Sequence, residues 1–207
     1  NWGVITDDRR IDSMGDGAKA LIPGQLEALG IKYVLTSSPP LAGWRLIAQG
    51  VFTPYVKDDS GQPRPYPYSL YAANETGIIS VLGSAPRYVP KADWENEVTE
   101  WFLSQNAGSE VLVDEPVPDF AGSGNEAVKI FRQSPTMERV GFFVDSERPV
   151  PVLIKISDFP NWRAYQGGKR LHIFRASPYF MLVYGYGEIE LRYEQTPPDL
   201  AGYAMTF

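Results

Sequence analysis

The sequence predicts a mostly β fold of the α+β class, with an antiparallel, jelly-roll-like β-sandwich preceded by a small α/β segment. Glycine and proline together account for 37 of the 207 residues, 19 and 18 respectively, well above the roughly 12% of an average protein. Aromatic residues make up 13% of the chain. Short β-forming segments recur about every 8–12 residues between turn residues, which is typical of a sandwich.

We expect three segments along the chain: an irregular polar lead-in at 1–19, the α/β segment at 20–110 and the sandwich at 111–207. The α/β segment begins with a short helix at 23–29, which Gly30 ends. Its remaining predicted elements are strands at 31–36, 44–52, 68–72 and 78–82 and a helix at about 91–105. The apolar residues of that helix form a single stripe made of Trp94, Val98, Trp101 and Phe102.

The sandwich is predicted from repeated β-forming segments with period-2 alternation. Val150, Val152, Ile154 and Ile156 share one face of their strand, as do Ile189, Leu191 and Tyr193 of theirs. Turn residues such as Gly167 and Gly168 separate the segments. The predicted strands cover 111–113, 128–132, 139–144, 150–156, 162–165, 171–174, 180–184 and 188–193.

Composition and charge exclude several function classes. The formal charge is −6 and the pI about 4.9, so nucleic acid is a poor candidate partner. The absence of cysteine removes thiol nucleophiles, zinc–thiolate sites and disulfides. No run of about 18 apolar residues is present, so no membrane span is predicted within the chain. Because the chain opens on Asn1-Trp2-Gly3, neither a signal peptide nor an initiator Met, we expect it to be a fragment of a longer protein.

Two acidic groups are candidates for chemistry. Four aspartates of the lead-in are weak candidates for Ca²⁺ ligands, because they lack the spacing of a calcium loop. The alternative is that they form a solvated surface. They are Asp7, Asp8, Asp12 and Asp16. Asp114, Glu115 and Asp119 form a second patch, which would serve a glycoside hydrolase if two carboxylates were held at the right separation.

Aromatic and polar side chains suggest further sites. Tyrosines near turns are candidate glycan contacts, with core packing as the alternative; they are Tyr184, Tyr186, Tyr66, Tyr68 and Tyr71. His172 is the only histidine, and we interpret it as a surface or interface residue. Asn74-Glu75-Thr76 forms an N-glycosylation sequon.

One stretch resembles a known family. Residues 156–169 contain Phe159, Pro160 and Trp162, followed by the turn residues Gly167 and Gly168. This stretch is similar to the "YFPGW" strand and "DGK" turn of YfhO-like bacterial membrane proteins and of 6-pyruvoyl-tetrahydropterin-synthase-related membrane proteins. Segments 29–35, 79–90, 175–183 and 187–193, the last ending at Tyr193, resemble further motifs of these families in the same order. The sequence departs from the pattern at Asn161, where the family has glycine, and at 166–167, where the family has an acidic residue.

The resemblance implies a soluble extracytoplasmic domain of a polytopic membrane protein related to glycosyltransferases of the polytopic C superfamily. Its first partner would be the membrane-embedded remainder of the same polypeptide, and a glycan or lipid-linked sugar would be a second. The family's catalytic carboxylates lie between membrane helices, so the resemblance assigns no catalytic residue and no cofactor to this chain. Residues 196–202 occupy the place where the family's chain re-enters the membrane. A secreted carbohydrate-binding module and, less favoured, a glycoside hydrolase are the alternatives.

Overall fold

A computed structural model describes residues 23–36, 43–52, 61–62, 66–73, 77–104, 107, 109–120, 128–136 and 138–206. They are mostly β, as predicted, with three sheets and three helices among the described residues. Two compact units are present, one within Asn1–Gly77 and Gln105–Ser109, the other within Ile78–Ser104 and Glu110–Phe207. The predicted lead-in at 1–19 lies outside the described residues.

The first unit contains helix α1 and one antiparallel sheet in the order β1-β3-β2. Its elements are α1 (Pro23–Ala28), β1 (Tyr33–Thr36), β2 (Arg45–Phe52) and β3 (Tyr66–Ala72). Gly30 ends the helix with a φ of +70°, in the left-handed region that glycine adopts without strain. One cluster of buried apolar residues in this unit consists of Leu26, Val34, Trp44, Tyr71 and Ala73.

The second unit contains a five-stranded sheet in the order β11-β10-β14-β8-β7 and a six-stranded sheet in the order β4-β9-β13-β12-β6-β5. Its strands are β4 (Ile79–Val81), β5 (Arg87–Tyr88), β6 (Leu112–Val113), β7 (Ile130–Pro135), β8 (Arg139–Val144), β9 (Val150–Ser157), β10 (Trp162–Gln166), β11 (Lys169–Leu171), β12 (Phe174–Ala176), β13 (Phe180–Gly185) and β14 (Gly187–Tyr193). All pairings are antiparallel except the parallel pair of β5 and β6.

The two sheets pack face to face and enclose one apolar core. Alternate residues of the facing strands fill it, including Val152 and Ile154 of β9, Val183 of β13 and Leu191 of β14, all fully buried. Since side chains alternate between the two faces of a strand, the period-2 pattern of the sequence identifies these core positions correctly. A second cluster, which includes Leu153, covers the other face of the six-stranded sheet, so β9 is apolar on both faces.

Two helices accompany these sheets, α2 (Trp94–Leu103) and α3 (Pro197–Thr206). The predicted apolar stripe of α2 is buried at Trp94, Val98 and Trp101, and the indole N–H of Trp101 donates to the Glu110 carbonyl at 2.8 Å. Sequence patterns did not predict α3. Within the described part of the chain, no helix has the length and apolar character needed to cross a membrane.

The prediction of one strand over 171–174 is wrong. The chain leaves the five-stranded sheet at the end of β11 and enters the six-stranded sheet at the start of β12. His172 and Ile173 form the crossing between the layers. Alternation within four residues cannot reveal a change of sheet, because the pattern continues while the pairing partners change.

Candidate functional site

A groove opens at one edge of the sandwich, where the chain crosses between the two sheets twice. One crossing follows β9 and the other follows β11. The groove has a volume of about 420 Å³ and is lined by Asp158, Phe159, Pro160, Trp162, Arg163, Arg170, Leu171, His172 and Ile173. It therefore combines aromatic, cationic and carboxylate groups in one concave surface, as ligand sites do.

A tight turn holds the first wall of the groove. The backbone N–H of Trp162 donates to the Phe159 carbonyl at 3.0 Å, and Pro160 occupies the second turn position, which its fixed φ favours. The backbone N–H of Asp158 donates to the Tyr179 carbonyl at 2.8 Å and ties the turn to the neighbouring strand. Phe159 remains 54% exposed, an aromatic ring that the fold leaves in contact with solvent.

Two arginines lie along the groove. The guanidinium of Arg163 donates through Nη1 to the carbonyls of Pro160 and Trp162, the latter at 2.8 Å. Arg170 stands opposite Tyr165 in the pairing of β10 and β11. Neither arginine has a carboxylate within ion-pair distance among the described residues.

The carboxylate of Asp158 is compensated by Arg175. Nε of Arg175 donates to Asp158 Oδ2 at 3.2 Å, and Nη1 of the same guanidinium lies 3.8 Å from Oδ2 of the buried Asp114. One guanidinium therefore lies between two carboxylates, and the shorter of its two contacts is the hydrogen bond to Asp158 beside the groove.

His172 forms a second contact with a carboxylate at the rim of the groove. Its Nε2 lies 2.6 Å from Glu115 Oε1. Because an ionised carboxylate only accepts hydrogen bonds, Nε2 carries the hydrogen in this pair. The imidazole also meets the ring of Phe174 edge to face, with centroids 4.5 Å apart. These contacts fix the imidazole orientation beside the groove, and the structure agrees with His172 as a surface residue.

A polar network continues from the groove turn to the start of α3. Asp199 accepts hydrogen bonds from the hydroxyl and backbone N–H of Thr196, each at 2.7 Å, and from Asn161 Nδ2 at 2.7 Å. These donors, Thr196 first, hold the pKa of Asp199 below its ordinary value. Thr196 and Asp199 form the capping arrangement expected at a helix start, with Pro197 at the first helical position. Asn161 thus joins the groove turn to the helix.

The outer face of the five-stranded sheet carries a second network. Tyr165 donates to Glu194 at 2.9 Å, and this hydrogen bond is the main cause of the raised pKa of Tyr165. Arg192 donates to Glu190 Oε2 at 2.6 Å, which lowers the pKa of Glu190. Each of these four side chains therefore has a hydrogen-bond partner within the network.

The tyrosines proposed as glycan contacts have different surroundings. Tyr184 packs edge to face against Phe174, with centroids 5.7 Å apart, and burial raises the pKa of its phenol. Tyr186 is 41% exposed in the turn between β13 and β14. In the first unit, Tyr71 is buried and the ring of Tyr68 lies against Gly50, whereas the side chain of Tyr66 lies outside the described part.

Among the motif residues quoted above, Trp162 is buried and two glycines form a turn. Trp162 is buried and meets the ring of Tyr193 edge to face at 5.2 Å across paired strands. Gly167 and Gly168 have φ angles of +55° and +78°. Two consecutive positive φ values are what a two-residue hairpin reversal requires.

Other predicted features lie partly outside the structure. The Ca²⁺ candidates Asp7, Asp8, Asp12 and Asp16 and the sequon at 74–76 are outside the described residues. Within the described residues, no group of three or more His, Asp or Glu side chains is arranged to hold a metal ion. Of the proposed hydrolase carboxylates, Asp114 is buried beside Arg175 and Asp119 is exposed.

Sequence reasoning missed the charged residues of the groove, Asp158, Arg163 and Arg170. The available signal was Asp158-Phe159-Pro160-Asn161, a run of turn formers that places an aromatic residue in a loop. Arg163 and Arg170 gave no local signal, because their proximity depends on strand pairing. Comparisons with family models, curated proteins and solved structures found no match to this chain.

Proposed function

We propose that this chain is a non-catalytic glycan-contact domain, the extracytoplasmic accessory domain of a polytopic membrane protein related to glycosyltransferases. The resemblance described above supports the membrane context, and the groove at the sandwich edge supports the glycan contact. The observation that carries the proposal is the exposed ring of Phe159 beside hydrogen-bonding side chains.

Saccharide sites pair an aromatic plane with a few oriented polar groups, because sugar rings present apolar C–H faces and peripheral hydroxyls. The turn at 159–162 fixes the backbone under Phe159. Asp158, Arg170 and His172 surround the same concave surface. This arrangement suits binding of one or two sugar units.

The carboxylates available in the groove favour binding of a sugar over its hydrolysis. Asp158 is the single carboxylate among the lining residues of the groove, and Arg175 holds it. Retaining and inverting glycosidases both use a pair of carboxyl groups across the scissile bond. An assay for glycoside turnover by Asp114→Asn and wild-type protein separates the alternatives: turnover lost in the variant would support the hydrolase.

The glycan-contact proposal is tested by NMR titration of the full ¹⁵N-labelled chain with neutral mono- and disaccharides of glucose, galactose, mannose and N-acetylglucosamine. We expect shifts in the amides of 158–163 and 170–173, and their loss in Phe159→Ala. The matched control is Phe143→Ala, which removes another exposed phenylalanine, 39% exposed, on β8 of the same unit. The absence of shifts at millimolar sugar, or equal loss in both variants, would contradict the proposal.

The membrane context is tested separately in native cells. An antibody against this domain should detect a band far above 23.1 kDa in the membrane fraction, removed by protease added outside intact cells. A soluble band near the mass of this chain would contradict the accessory-domain part and favour the secreted binding module.

A further inference from the structure

The groove contains two guanidinium groups that have no carboxylate partner among the described residues. The chain as a whole is acidic, with 25 Asp and Glu against 19 Lys and Arg. Four other guanidinium groups of the second unit contact carboxylates, those of Arg87, Arg139, Arg175 and Arg192. Arg163 and Arg170, both in the groove, have no such partner among the described residues.

The geometry of Arg163 orients its free donors. Nη1 is committed to two backbone carbonyls of the turn, which immobilises the planar guanidinium. Since a guanidinium has five N–H donors in a fixed fork, the donors on Nη2 and Nε remain for an acceptor. Immobilised donors lose less conformational entropy when a ligand binds.

Two carboxylates beside the groove already have hydrogen-bond donors within the protein. Asp158 is hydrogen bonded to Arg175, and the carboxylate of Glu115 is bound to His172. Both carboxylates therefore have hydrogen-bond partners within the protein, whereas Arg163 and Arg170 have no carboxylate partner among the described residues.

We propose that the groove binds an acidic saccharide, with the sugar ring against Phe159 and its anionic group, a carboxylate or a phosphate, against Arg170 and Arg163. This inference rests on the proposed glycan contact and adds the charge of the ligand. Arg–carboxylate and Arg–phosphate contacts share the same bidentate geometry, so both anion types belong to one chemical class.

The experiment compares matched sugars that differ only in the anionic group. The full chain is titrated with glucose, galactose and mannose, with their uronates, and with their 6-phosphates, using amide shifts of 158–163 and 170–173 to obtain affinities. We expect at least one acidic sugar to bind roughly tenfold more tightly than its neutral counterpart, the effect of one charge-assisted hydrogen-bond pair in a partly exposed site. That advantage should shrink as salt is raised, since exposed charges are screened.

Two variants locate the effect. Arg170→Ala should abolish the preference for the acidic sugar, so that the variant binds the acidic sugar and its neutral counterpart with equal affinity. Arg148→Ala is the matched control, because it removes an exposed arginine from the same unit. Arg148 lies in the turn before β9, whereas the groove lies after the end of β9. An equal loss of preference in both variants would show a general charge effect and overturn the inference.

The outcomes separate this inference from the proposed function. Equal affinity for acidic and neutral sugars overturns the acidic ligand and leaves glycan contact standing. Binding of neither class overturns both. Tighter binding of uronates than of phosphates, or the reverse, identifies which anion the two arginines receive.

Discussion

Removing the hydroxyl group of Tyr184 is expected to stabilise the protein. The hydroxyl oxygen is shielded from solvent and has no hydrogen-bond partner among the described residues. The aromatic ring packs against Phe174 with an interplanar angle of 75°, a contact that a phenylalanine would retain. The substitution Tyr184→Phe therefore removes a desolvated polar atom while keeping the packing.

The magnitude follows from the cost of an unsatisfied polar group, about 1–3 kcal/mol. Tyr184 is only half-buried as a residue, which places the effect at the lower end. We expect Tyr184→Phe to raise the free energy of unfolding by about 1 kcal/mol and Tm by about 2–4 °C. Tyr184→Ala should lower the free energy of unfolding by about 2 kcal/mol, because it also removes the ring contact.

The pH dependence adds an independent signature. Burial raises the pKa of Tyr184 in the folded state above its ordinary value of 10.0. The unfolded chain therefore ionises first, so stability from the neutral phenol is complete below pH 10 and is lost as the pH rises through the folded-state pKa. The advantage of Tyr184→Phe over wild type should grow above pH 10, since the variant lacks this group.

Urea unfolding followed by tryptophan fluorescence measures these differences, and an unchanged m-value would show that only stability has changed. Tyr186→Phe is the control, because Tyr186 is exposed and its substitution should change the free energy of unfolding by less than about 0.5 kcal/mol. A loss of about 1 kcal/mol or more in Tyr184→Phe would mean that the hydroxyl makes a hydrogen bond, and the reasoning would fail.

Two further predictions concern the groove turn and the hairpin beyond it. Asn161→Ala should raise the pKa of Asp199 toward its ordinary value without restoring it, because both Thr196 donors remain. NMR titration of the carboxyl carbon measures this, and an unchanged pKa would contradict it. Because its folded-state pKa is lowered, Asp199 stabilises the protein at pH values above the ordinary carboxyl pKa, and this stabilisation is lost as the pH falls through the folded-state pKa. The variant should therefore lose less stability in acid than the wild type. Gly185→Ala would place its Cβ 2.6 Å from Cδ1 of Ile189 and should lower the free energy of unfolding by about 1–3 kcal/mol; Ile189→Val should relieve part of that loss in the double variant, and strict additivity in a double-mutant cycle would exclude the clash.

The elements of the fold were predictable where the signal is local. The apolar stripe of α2 and the alternation in β9 follow directly from the periods of helix and strand, and the structure buries the residues they identify. The start of α3 also had a local signal in Thr196-Pro197-Pro198-Asp199, a capping residue with proline after it. The resemblance described above instead predicts that the chain re-enters the membrane at this segment.

The site was less predictable because exposure depends on partners distant in sequence. Nothing near Tyr184 in the chain shows that Phe174 covers its ring, and nothing near Phe159 shows that its ring stays exposed. Both are aromatic residues close to turns, and the sequence alone favoured Tyr184 for glycan contact. The antiparallel pairing of β12 with β13 brings Phe174 to Tyr184, and the sequence near Tyr184 does not reveal this pairing.

The charge of the groove depends on the register of one hairpin. Arg170 stands opposite Tyr165, and Arg163 lies two residues before Tyr165 on β10, so all three side chains share one face of the sheet. A slip of one residue would turn Arg170 toward the apolar core and expose Leu171 in its place. The positive φ angles of Gly167 and Gly168 fix the two-residue reversal and hence this register. Gly167 and Gly168 thus place Arg170 and Arg163 on one face of the sheet, and through this register they would contribute to the ligand binding proposed above.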